Sequence, residues 1–228
     1  MKKYTGFTLA EVLITLIVIG VLAMITVPSL LKEYHHRQWK AGLWKAYKIS
    51  ADALEMMRAE DGDHIWERYA DYVKLGNKYG DFATPFLSYF NAPLSTKKLY
   101  TYYPSYKIYT YTGDMSGSTN WAAAGLTKRL KDGMLIGASI NSSAIIITID
   151  INGADKKPNT YGKDCFTFKV DKKIDKLVPM GGEVQGGYEY CSKNYPEKNS
   201  NGLGCTYWAL KDICPDDPNK GYWECLPN

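Results

Sequence analysis

The stretch from Phe7 to Pro28, FTLAEVLITLIVIGVLAMITVP, holds a single charge, Glu11, in an otherwise apolar run. Extended to Leu31 it is about twenty-five residues, so a helix would reach about 37 Å, enough for a hydrocarbon core of about 30 Å. Length and composition therefore predict a membrane-spanning helix. Glu11 is the exception, because a carboxylate in lipid costs up to about 3 kcal/mol on the lenient insertion scales and needs either the headgroups or a cationic partner. A source for that partner lies just upstream. Met1 to Gly6, MKKYTG, is a short basic leader, and a cut after Gly6 would leave an amino group on Phe7, four residues before Glu11 and cationic at neutral pH.

The run Gly6-Phe7-Thr8-Leu9-Ala10-Glu11, with the apolar stretch and Pro28 after it, resembles the class III signal of type IV prepilins and type II secretion pseudopilins. The resemblance implies cleavage between Gly6 and Phe7 by a prepilin peptidase, N-methylation of Phe7, and storage in membrane lipid. It further implies passage through an inner-membrane assembly platform into a filament with copies of itself and other pilins or pseudopilins. By position, Glu11 would pair with the Phe7 amine of an adjacent subunit during assembly. Pro28 would mark a helix kink, since an interior proline removes a backbone bond and crowds the preceding turn. The leader would lie in the cytoplasm and the head beyond the inner membrane, in the periplasm or at the cell surface.

Other readings of the same stretch compete. Val21-Leu22-Ala23 satisfies the small-residue rule of an ordinary signal peptidase, although the apolar run continues past it. Lys32, Arg37, Lys40, Lys45 and Lys48 after the span outnumber Lys2 and Lys3 before it, which by the positive-inside count favours the opposite orientation. Read instead as a solvated helix face, those residues do not decide topology, whereas the cysteines favour an exported head.

At 228 residues the chain has room for one span and one head domain with a single core. Loss of Lys2 and Lys3 removes two of the 28 basic residues set against 24 acidic ones and lowers the formal charge from +4 to +2. No nucleic-acid partner follows from that balance. The five cysteines, Cys165, Cys191, Cys205, Cys214 and Cys225, all lie late in the chain. Without a C-x-x-C pair or a nearby histidine they point to disulfides rather than zinc. Leaving any one out and pairing the other four allows fifteen arrangements. Cys165, in an apolar strand, is expected to be the free thiol, and Cys191, Cys205, Cys214 and Cys225 the bridged ones.

After the span, Trp39, Leu43, Tyr47, Ala51, Leu54 and Met57 recur at helical spacing with charges between them, giving one apolar face for a domain to pack on. Asp61-Gly62 is expected to end that helix. His35 and His36 read as interfacial residues, not metal ligands. Trp66, Tyr69, Tyr72 and Val73 suggest a further helical face, and Thr84 to Phe90 a short apolar element. YTYYPSYKIYTY, Tyr100 to Tyr111, reads as a half-exposed strand or ordered loop interrupted by Pro104. Its rings could serve ordinary packing or subunit contacts, or form a stacking platform. Met134–Ile140, Ala144–Ile151 and Cys165–Val170 read as three antiparallel strands, with Asp132-Gly133 and Asn141 to Ser143 as turns. One apolar sheet face is expected to lie against the helix. The expected fold is thus α+β: a long amino-terminal helix, half transmembrane and half amphipathic, packed on an antiparallel sheet, with a disulfide-stapled carboxyl-terminal region. In residue ranges this means a leader at 1–6, a transmembrane or filament-core helix at 7–31 and its amphipathic continuation at 32–61. A variable αβ region at 62–131, the sheet at 132–178 and the cysteine-rich region at 179–228 follow.

The loop Asp150 to Asp164, DINGADKKPNTYGKD, places oxygen donors Asp150, Asn152 and Asp155 at a spacing that a hard cation such as calcium can use. It lacks the glycine and glutamate of an EF-hand, and Lys156 and Lys157 add repulsion, so plain turn formation by Asn152-Gly153, Pro158-Asn159 and Gly162 is the competing reading. The D-x-N-G…K-x-P-N…G-x-D-x-F pattern is similar to a sheet segment of secretion-type pseudopilins. No cofactor is otherwise expected. With three histidines in the chain, no G-x-S-x-G and no phosphate-cradling loop, no catalytic constellation emerges and no enzyme is expected. The functional expectation is a structural filament subunit, a pilin or pseudopilin of a type II secretion or type IV pilus-like assembly. The alternative from another class is a single-span anchored binding domain that never polymerises.

Overall fold

The computed structural model describes residues 6, 8–62, 64–74, 82–92, 97–98, 103, 105–115, 126–140, 144–182, 190–195 and 199–227. The chain divides into two compact units, Met1–Gln38 and Trp39–Asn228. Helix α1, Leu9–Asp61, contributes to both and includes Pro28. It stops where an Asp-Gly pair was expected to stop it, with Gly62 at φ 73° donating to the Arg58 carbonyl at 3.0 Å.

In the first unit every residue from 8 to 35 is exposed, including fifteen large apolar side chains between Leu9 and Leu31. This helix is long and apolar enough to cross a membrane. Apolar side chains all round a helix need lipid or other helices as their solvent. Its few hydroxyls are satisfied locally: Thr15 Oγ1 donates to the Val12 carbonyl at 2.8 Å, Thr26 Oγ1 to Leu22 at 2.9 Å and Ser29 Oγ to Thr26 at 2.8 Å. These three hydroxyls therefore need no water.

The second unit is an antiparallel sheet with helices on it. Its strands are β1 Lys97–Lys98, β2 Leu126–Arg129, β3 Leu135–Ile140, β4 Ile145–Asp150, β5 Cys165–Val170 and β6 Leu177–Pro179, side by side in chain order. The three expected strands are β3, β4 and β5; β1, β2 and β6 escaped notice because they have only two to four residues, too few for a period-two pattern. Register aligns Ile136, Ile149 and Phe166 in one row and Ala138, Ile147 and Phe168 in the next. These rows join Leu43, Ala46, Ala53, Leu54 and Met57 of α1 in the main core, and Tyr47 stacks on Phe168 with centroids 5.7 Å apart.

The expectation of one apolar face was incomplete. The opposite row, Leu135, Asp150 and Cys165, is covered by Tyr106, Ile108, Tyr161 and Leu203 in a second core. So the described part of the tyrosine-rich segment is an ordered loop. Tyr106 and Tyr111 are buried, packing residues and not a stacking platform. Tyr100, Thr101, Tyr102 and Pro104 lie outside the described residues, as do Asn141 to Ser143.

Two short helices follow α1, α2 Ile65–Lys74, where the spacing of Trp66, Tyr69, Tyr72 and Val73 suggested a helical face, and α3 Ala83–Ser88, where a short apolar element was expected. A carboxylate from a distant turn caps α2: buried Asp175, between β5 and β6, accepts from the amides of Ile65 at 2.9 Å and Trp66 at 3.3 Å. Lys172 of the same turn lies 4.1 Å over the Trp66 ring. Asp175→Ala removes this cap and puts alanine at φ 54°. It is expected to lower stability by about 2 kcal/mol, or about 4 to 8 °C in Tm for a domain of this size. Asp175→Asn, which keeps an acceptor and tolerates that φ, is expected to lose less than half as much; thermal unfolding of the two variants checks this.

The carboxyl-terminal region carries α4, Cys205–Lys211, and a 3-10 turn at Tyr222–Glu224. Of the fifteen pairings, the fold selects Cys191–Cys205 and Cys214–Cys225, with Cys165 a buried free thiol. Two of the lysines read as a solvated face are tertiary contacts instead: Lys40 pairs with Asp212 at 2.6 Å and Lys45 with Asp132 at 2.5 Å.

Candidate functional site

The amino-terminal end of α1 is organised around Glu11. Its Oε2 accepts from the Thr8 amide at 2.8 Å and from Thr8 Oγ1 at 2.7 Å, while the Glu11 amide donates back to Thr8 Oγ1 at 3.3 Å. This is the reciprocal capping box of a T-x-x-E start, in which both side chains satisfy amides that the first helical turn leaves open. The T-x-x-E pattern is legible in Thr8-Leu9-Ala10-Glu11, but a reading that seeks headgroups or a cation for the carboxylate does not look for its partner in the helix's own first turn. Gly6 is exposed. Phe7, the residue expected to be cut free and methylated, lies outside the described residues. Pro28 lies within α1, where it deprives the Met24 carbonyl of its usual donor.

The loop from 150 to 164 is built on two buried carboxylates. Asp150 Oδ1 accepts from the amides of Gly153 at 2.7 Å and Asn152 at 3.2 Å, and its Oδ2 from Tyr106 Oη at 3.0 Å. Asp164 accepts from the amides of Thr160 at 2.6 Å and Asn159 at 2.8 Å and from Asn152 Nδ2 at 3.0 Å. Gly153, at φ 84°, is obligatory, since a Cβ there would lie 2.3 Å from the Gly133 carbonyl oxygen. Burial first, and the charge of Asp164 second, push the Asp150 carboxyl well above the usual range; burial likewise raises Asp164 against its own hydrogen bonds. Burial, followed by the two neighbouring carboxylates, also raises the Cys165 thiol, so it is a packed hydrophobe rather than a nucleophile.

The expected trio is not gathered as one ligand set. Asp150 and Asn152 belong to this network, but Asp155 is 63% exposed and pairs with Arg129 at 3.3 Å. Asp164 is the carboxylate that meets Asn152. No group of three or more His, Cys, Asp or Glu residues among the described ones is arranged to hold a metal ion. Asp164 was not among the expected donors: it lies twelve positions after Asn152, and no periodicity connects the two.

Residues 1–27 match the family profile of the prokaryotic N-terminal methylation motif. No curated protein and no solved structure matches the chain. The matched segment contains Gly6, Phe7 and the Thr8–Glu11 box and ends just before Pro28. Over its first 27 residues, the chain carries a type IV prepilin-like signal.

Proposed function

We propose that this chain is a structural filament subunit of the pilin or pseudopilin type, made as a precursor and polymerised through α1. A prepilin peptidase cuts between Gly6 and Phe7 and methylates the new amine. The helix from 7 to 31 holds the subunit in the inner membrane until an assembly platform moves it into a filament, where neighbouring helices replace lipid. The observation that carries this reading is the methylation motif on a helix whose apolar side chains are exposed among the described residues. Two disulfides favour an extracytoplasmic head. The basic residues that argued for the reverse orientation weigh less, because Lys40 and Lys45 are engaged by Asp212 and Asp132. The loop pattern shared with secretion-type pseudopilins favours a secretion pseudopilus over a motility or DNA-uptake pilus.

Mass spectrometry of the protein from cell envelopes tests the processing step. The expected amino-terminal residue is N-methylated Phe7. Retention of Met1 to Gly6, or a terminus after Ala23, overturns the reading in favour of an unprocessed anchor or a secreted protein.

A further inference from the structure

One face of the head carries an open groove of about 560 Å³, lined by Trp44 and Tyr47 of α1, Val178 and Pro179 of β6, and Tyr207 and Lys211 of α4. Its walls are set before anything binds. Tyr47 is stacked on Phe168, the Tyr207 ring lies edge-on to Trp208 at 5.3 Å, and Gly182 leaves only 3.0 Å between a would-be Cβ and the Tyr207 ring. Trp44 forms a lip, 48% exposed. Among the described residues, Lys211 supplies the only charge in the lining, 5.9 Å from the Tyr207 ring centroid, and no carboxylate pairs with it. An apolar cleft with one unmatched cation at its edge suits an apolar side chain carried next to a carboxylate.

The chain has such a feature outside the groove lining. The turn from Thr110 to Met115 is tied by the Thr110 amide to the Asp114 carbonyl at 2.8 Å and by the Gly113 amide to the Thr110 carbonyl at 2.9 Å. Thr112 Oγ1 steadies Asp114 Oδ2 at 3.2 Å. This turn presents Met115 at 64% exposure beside a carboxylate that has no cationic partner among the described residues. The other exposed large apolar side chains of the described head fit the groove less well. Ile174 sits among Lys172, Lys173 and Lys176, which repel Lys211, and its neighbour Asp175 is buried and taken by the amides of Ile65 and Trp66; Met56 adjoins Glu55, already paired with Arg58 at 2.8 Å; the segment of Tyr195 is held by Asp216, whose oxygens already accept from Ser192 Oγ and the Lys193 amide.

We infer that the Trp44–Tyr207–Lys211 groove of one copy receives the Asp114–Met115 turn of the next, a head-to-head contact that rests on the filament reading above. Methionine inserts among the three rings, where its flexible thioether adapts to the cleft, and Asp114 meets Lys211. With the groove of each copy filled by the knob of the next rather than by reciprocal exchange, the contact is heterologous and, where its rotation does not close a ring, propagates as an open helical series.

Charge reversal in the full-length chain, in cells that assemble the filament, tests the contact. Lys211→Glu and Asp114→Lys are each expected to lower the yield of sheared filament at least tenfold, and the double exchange to restore it, which a misfolded head could not do. Chains carrying Met115→Cys mixed with chains carrying Tyr207→Cys should give disulfide-linked dimers on oxidation. Chains carrying both changes should give a ladder of higher multimers. Filaments at normal yield from Lys211→Glu, with no cross-linking, overturn this contact while leaving the filament reading intact. Cross-links to other proteins but never to a second copy also overturn it. Absence of filaments and of methylated Phe7 in the unaltered chain overturns both.

Discussion

Glu11→Gln is expected to fold, insert and be trimmed like the parent chain and yet to give essentially no filament. Glutamine serves as well as glutamate in a capping box, so the bonds to the Thr8 amide and hydroxyl persist and the helix begins at the same place. What is lost is the negative charge. A charge-assisted hydrogen bond to the methylated amine of a neighbouring Phe7 is worth about 1.5 to 3 kcal/mol, a factor of about ten to a hundred for each subunit added. Repeated along a polymer, that loss is all or none. Thr8→Ala is the complementary change: it removes the cap, costs about 1 kcal/mol of helix start, and is expected to leave assembly standing. Sheared-filament yield, measured beside envelope-bound subunit for both variants, separates the two roles of Glu11. If Glu11→Gln assembles normally, the carboxylate is only a cap, and the single-span anchored domain becomes the better reading.

The second large effect belongs to the buried carboxyl pair. Asp150 and Asp164 have folded-state pKa values raised above the unfolded value of about 3.9. The native head therefore holds protons that the unfolded chain has released, and its stability falls as pH rises from about 4 through the raised value of Asp150, about 8. One unshared proton corresponds to about 1.4 kcal/mol per pH unit in that window. Full-length protein in detergent is thus expected to melt higher at about pH 5.5 than at about pH 8.5. Asp150→Asn should flatten the slope and gain about 2 kcal/mol at the alkaline end, since the amide oxygen still accepts from Gly153 and Asn152 while Tyr106 Oη accepts from its NH2. Asp132, Asp171 and Asp217 act in the opposite sense. Hydrogen bonds from Lys45 and the Met134 amide outweigh the burial of Asp132, the Lys173 amide lowers Asp171, and Lys220 lowers Asp217. Their contribution fades only as pH falls below about 4, outside the window being measured. Millimolar calcium is expected to leave the slope unchanged, because both oxygens of Asp150 already accept hydrogen bonds and Asp155 is drawn to Arg129. A melting curve that rises with pH, or one that calcium flattens, would contradict this account.

Legibility followed chemical locality. The spanning helix, its stop at Gly62 and the strands β3 to β5 were all readable, because each is announced by the composition or period of its own residues. The Thr8–Glu11 box was equally local and could have been read. The two-residue strand β1 and the three-residue β6 could not, since their pairing is defined by the neighbouring strand. Cys165 stood out as the free thiol through its apolar strand, whereas the partners of the other four cysteines did not.

By itself, then, the amino-acid sequence determined the apolar helix with its prepilin-like signal, the α+β class and the identity of the bridged cysteines, because side-chain type and spacing act along the chain. Tertiary structure alone decided that Cys191 meets Cys205, that Lys40 reaches Asp212 across 172 positions, that Asp175 caps a helix 110 residues before it, and that Asp164 rather than Asp155 joins Asn152. Each of these depends on which segments the sheet brings within about 3 Å, and that proximity is set by packing on both sheet faces at once, not by the order of residues on either one.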